Sequence, residues 1–70
     1  MIYRINKFDY VNLRNVNYIT NTDEQKVDPH DGKLRIRIYV NFVCGGSANF
    51  YLTHQELQDF QEVLENYSIG

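Results

Sequence analysis

At 70 residues and a net charge of −2, the chain has room for one domain, residues 1–70, hiding only ~60 % of its unfolded surface and holding a stability of roughly 3–5 kcal/mol. Its one cysteine, Cys44, excludes an internal disulfide and points to a reducing compartment. No apolar run reaches the ~18–20 residues of a membrane span, and Met1 to Asn6 has neither an apolar leader core nor a small-residue cleavage site, which predicts a cytoplasmic protein, complete as written, with no membrane partner.

Met1 to Phe8 alternates imperfectly and predicts a first strand at a sheet edge. Val11 to Ile19 predicts strand, one tight turn at Arg14-Asn15, and strand again. Asn12, Asn15 and Asn17 suit such corners because an asparagine amide bonds nearby backbone. Residues 21–32 show no periodicity, hold Asp23, Glu24, Asp28 and Asp31, and predict a solvated, mobile loop. Pro29 pushes Asp28 away from helical dihedrals, and Asp31-Gly32 supplies a turn.

Lys33 to Phe42 is the clearest stretch. Leu34, Ile36, Ile38, Val40 and Phe42 are apolar, while Lys33, Arg35, Arg37, Tyr39 and Asn41 are polar or amphipathic. Successive strand residues face opposite ways, so a period of two means a half-buried strand. Cys44-Gly45-Gly46-Ser47 predicts a hairpin turn, with the cysteine small and at least partly buried beside it. Ala48, Phe50 and Leu52 then resume the apolar face, opposite Asn49, Tyr51 and Thr53.

Thr53-His54-Gln55-Glu56 matches a capping box, and Leu52 with Leu57 has the spacing of a hydrophobic staple. Leu57, Phe60, Val63, Leu64 and Tyr67 form one apolar stripe of a helix expected to end near Tyr67 or Ser68. The predicted fold class is α+β: a three- to four-stranded antiparallel sheet with one C-terminal helix packed on one face. The helix stripe would meet Leu34 to Phe42, Ala48 to Leu52, and Val11, Leu13, Val16 and Tyr18.

The other sheet face would stay open, displaying Arg35, Arg37, Tyr39 and Tyr51, with the two tyrosines near each other. This is the predicted binding site. Two phenols and two guanidiniums suit a protein partner or a second copy of the chain. They also suit an anionic ligand, a nucleotide or single-stranded nucleic acid, by stacking and charge. Net acidity counts against the nucleic-acid alternative.

No catalytic, cofactor or metal site is predicted. Cys44 lacks a base near it in sequence, Gly45-Gly46 lacks the rest of a phosphate loop, and Asp23, Asp28, His30 and Asp31 fit no metal-binding spacing. The carboxylates Glu56, Asp59, Glu62 and Glu65 make an acidic helix face, set against basic strands and predicted as a second contact surface for a protein partner.

Tyr10 to Ile19, Leu34 to Phe42 and the Thr53-capped helix together resemble small β-meander-plus-helix proteins of Gram-positive bacteria and their phages. The resemblance implies a non-catalytic protein-interaction module, plausibly phage- or mobile-element-encoded. It assigns no residue.

Overall fold

A computed structural model describes residues 1–69, with side chains through Tyr67. In chain order it contains β1 (Ile2–Arg4), β2 (Tyr10–Asn12), a 3₁₀ turn at Leu13–Asn15, β3 (Val16–Val27), β4 (Leu34–Phe42), β5 (Ser47–Leu52) and α1 (His54–Ile69). Antiparallel pairing gives a three-stranded sheet in the order β3-β4-β5 and a separate two-stranded sheet, β1-β2. The fold is α+β. Among the described residues no helix is long and apolar enough to cross a membrane.

The alternation of β4 decides what is covered. Ile36, Ile38 and Val40 are buried, opposite Leu52, Phe50 and Ala48 of β5. Their face meets α1 through Leu57 and Phe60, and the β1-β2 hairpin through Ile5, Val11 and Leu13, in one apolar cluster. Helix and hairpin thus share the apolar side of the larger sheet, and Tyr3 stacks on Phe60 with ring centroids 5.7 Å apart and 10° between the planes. Fully burying an aliphatic or aromatic side chain contributes about 1.5–3 kcal/mol, so these few contacts set the stability of so short a chain.

The helix start follows the sequence closely. The Glu56 amide donates to Thr53 Oγ1 at 3.2 Å, and the Thr53 amide donates to Glu56 Oε1 at 2.8 Å. Leu52 and Leu57 are both buried beside this cap, so box and staple act together. The helix runs on to Ile69, past the expected end at Tyr67 or Ser68, and Gly70 lies outside the described residues.

Several expectations are corrected. The first strand is only Ile2–Arg4, because Asn6 then turns the chain: its Oδ1 accepts from the amides of Phe8 and Asp9, both at 2.8 Å. Residues 21–32 are largely not a loop, since β3 continues to Val27 and pairs with β4 as far as Leu34. A bulge between Asn21 and Gln25 lets it do so. There the Thr22 hydroxyl donates to the Arg37 carbonyl at 2.8 Å, taking the place of a ladder amide. Tyr18 points to the open face and is 57% exposed, because the bulge between Val16 and Tyr18 shifts its register. Leu34 is exposed beside Val27 where this hairpin ends. Cys44 is exposed rather than partly buried, since the turn holding it projects beyond the sheet.

Candidate functional site

The open face of the sheet carries the odd-numbered residues of β4 and their neighbours. Arg37 lies opposite Tyr51, and Tyr39 lies between Thr20 of β3 and Asn49 of β5. Tyr39 and Tyr51 are therefore diagonal neighbours rather than a facing pair. Arg37 fills the space between the strands. Its guanidinium stacks over the Tyr39 ring at 4.9 Å, Nε donates to Asn49 Oδ1 at 3.0 Å, and Nη1 donates to Glu24 Oε2 at 2.6 Å. The Glu24 carboxylate accepting from Arg37 also raises the pKa of that guanidinium. Lys26 Nζ lies 5.7 Å from the centre of the Tyr51 ring. Each tyrosine thus has a cation against it, which fixes its orientation.

Arg35 is a correction. The alternation puts it on the open face, but it is 4% exposed. The short connection from β3 to β4 folds back over it. Nη1 donates to Asp28 Oδ2 at 2.8 Å and to Asp31 Oδ1 at 3.1 Å, and Nη2 donates to Asp31 Oδ2 at 2.9 Å. Glu56 of the helix cap approaches Nε at 4.0 Å, and Lys7 reaches Asp31 at 3.5 Å. The Arg35 hydrogen bond, helped by the Lys33 amide, holds the Asp31 carboxyl well below the usual carboxylate range, and Asp31 in turn raises Arg35. Arg35 is a structural clamp joining the β3-β4 connection to the start of α1. It is withdrawn from any contact surface.

The predicted quartet therefore divides. Arg37, Tyr39 and Tyr51 share one surface, and Arg35 lies beneath its end. Sequence reasoning missed Glu24 and Lys26, which stood in a presumed loop, and the acid–base pattern Asp28, Asp31, Arg35 was the available signal for the clamp. It also missed Asn6, whose Nδ2 donates to the Tyr51 carbonyl at 3.2 Å and pins the β1-β2 connection beside β5. Between that connection, the β3-β4 connection and Tyr51 lies a cleft of about 360 Å³, with Phe8, Pro29, Phe50 and Tyr51 as apolar walls and Lys26 and His30 at its polar side.

Among the described residues no cluster of His, Cys, Asp or Glu is arranged to hold a metal ion. No protein-family model, curated protein or solved structure matches the chain.

Proposed function

We propose that the chain is a small non-catalytic protein-interaction module whose contact surface is the open sheet face centred on Arg37, Tyr39 and Tyr51. The observation that carries this reading is the Arg37 arrangement: stacked on Tyr39, bonded to Asn49 and neutralised by Glu24. Its result is a preorganised aromatic and amide surface with little free charge. Tyrosine and arginine are enriched where proteins bind proteins, and rigid aromatics lose little entropy on binding. Asn41, Thr20 and Asn49 supply hydrogen-bonding groups around them, with Asn41 Nδ2 donating to Thr20 Oγ1 at 3.2 Å.

Binding of an anionic ligand is less well supported. It needs a free cation beside a stacking ring, and both arginines already hold carboxylates. Lys26 at Tyr51 is what remains of that alternative.

The test is capture of partners by the native chain and by Tyr39→Ser with Tyr51→Ser, in the host from which the sequence comes. A partner retained by the native chain and lost by the double variant, with unchanged melting temperature, fits the reading. A partner retained equally by both, or a nucleotide that raises the melting temperature through Lys26, would replace it.

A further inference from the structure

The three-stranded sheet has two outer edges, and they are guarded unequally. At the β4-β5 turn the Phe42 amide donates to the Gly46 carbonyl at 2.8 Å, so the even residues of β4 bond toward β5 and the backbone of Tyr51 faces out. Asn6 already occupies its carbonyl. On the other side the Val43 amide donates to the Asn15 carbonyl and Arg37 O accepts from Thr22, so the odd residues of β4 bond toward β3. Tyr18 and Thr20, opposite Asn41 and Tyr39, therefore bond inward. Ile19 and Asn21 present their backbone amides and carbonyls outward.

The later half of this edge is protected in the usual ways, by a bulge between Asn21 and Gln25 and by Asp23, Glu24 and Lys26. The earlier half is not. Residues 15–22 carry no charge, and among the described residues nothing bonds to the outward groups of Ile19 or Asn21.

The geometry points to a second copy of the chain as the occupant of this edge, joined by antiparallel β3-β3 pairing about a two-fold axis at Ile19. In that register Ile19 meets its own copy, Tyr18 faces Thr20 of the second copy, and Asn21 faces Asn17 of the second copy. The charges then complement each other at both ends. Arg14, in the 3₁₀ turn just before β3, then lies toward the end of the second copy's strand that carries Asp23. Arg14 and Asp23 are both exposed, and neither is among the ion pairs of the described residues. A two-fold contact requires this self-complementarity. The product is one continuous six-stranded sheet with both open faces on the same side. The β3 edge is separate from the surface centred on Arg37, Tyr39 and Tyr51.

The experiment is sedimentation velocity on the full chain from micromolar to millimolar concentration. The expected result is a reversible monomer–dimer equilibrium. Asn21→Pro removes one outward amide from each copy, two per dimer, at an exposed position in an extended segment, which an edge strand tolerates, and should weaken association about thirtyfold. Asn17→Asp with Asn21→Asp opposes like charges and should give monomer, while Asn17→Asp with Asn21→Lys opposes unlike charges and should restore the dimer. Tyr39→Ser with Tyr51→Ser should leave association unchanged. A native chain that stays monomeric throughout overturns the proposal. So does a dimer indifferent to the Asn17 and Asn21 variants, or one abolished by the tyrosine variants.

Discussion

Arg35 grips both carboxylate oxygens of Asp31, four residues earlier in the chain, at 3.1 and 2.9 Å. Asp28 and Glu56 complete the surroundings of the guanidinium, and Nε is buried without a hydrogen-bond partner. The two arginines of β4, alike in sequence, therefore have different consequences when removed.

Arg35→Ala should destabilise the chain by about 2–3 kcal/mol, because it leaves three carboxylates converging without their cation. Asp28 and Asp31 keep some contact with water, which holds the cost below that of a fully enclosed pair. Arg37→Ala should cost about 1 kcal/mol or less, since its partner Glu24 is 61% exposed. Urea titrations of the two variants, side by side, measure the difference. Equal losses would show that burial of Arg35 does not matter.

The same clamp makes stability depend on acidity. Asp31 has a lower pKa folded than unfolded, its ordinary value being 3.8. Its contribution is then fully present above that value and is lost as the pH falls toward the folded pKa. The urea midpoint should drop as the pH falls below about 4, and Asp31→Asn should flatten that part of the profile. An unchanged slope in the variant would transfer the effect to other carboxylates.

Asn6 is 6% exposed and its side chain makes three hydrogen bonds, two within its own turn and one to Tyr51 O. Asn6→Ala leaves the part-buried amides of Phe8 and Asp9 and the Tyr51 carbonyl without these partners and should cost about 1–2 kcal/mol. Asn6→Asp keeps the acceptor and loses the donor to Tyr51. It should preserve the turn and loosen its attachment to β5, seen as faster amide exchange at Tyr51 with a smaller loss of stability.

Thr53→Ala removes the hydroxyl that accepts from the Glu56 amide and should cost about 1 kcal/mol. Glu56→Ala should cost at least as much, because that side chain serves the Thr53 amide and also faces Arg35. Thermal melts of the two single variants and the double variant would show coupling between cap and clamp.

Most of the architecture was legible where one face is wet and the other dry. Leu34 to Phe42 announced β4 because the core lies on one side only, and Thr53 with Glu56 announced the helix because a cap is local chemistry. The end of β3 was not legible: from Thr22 to Val27 the strand has outrun the layer above it, both faces meet water, and no periodicity survives. Arg35 was misplaced for a related reason. The connection before β4, residues 28–33, folds back over it, and a strand's alternation says nothing of what its neighbouring connection will cover. On the open face the sequence supplied Arg37, Tyr39 and Tyr51. Their mutual arrangement depends on a bulge that brings Glu24 into line.

The stack of Tyr3 on Phe60 joins the first strand to the middle of the helix, with the whole three-stranded sheet between them in the chain. Such a contact closes a loop of nearly the whole chain, the slowest kind of closure for a protein of this size. A nascent chain on the ribosome would therefore hold the β1-β2 hairpin undocked until Phe60 has emerged, with the central meander free to form first.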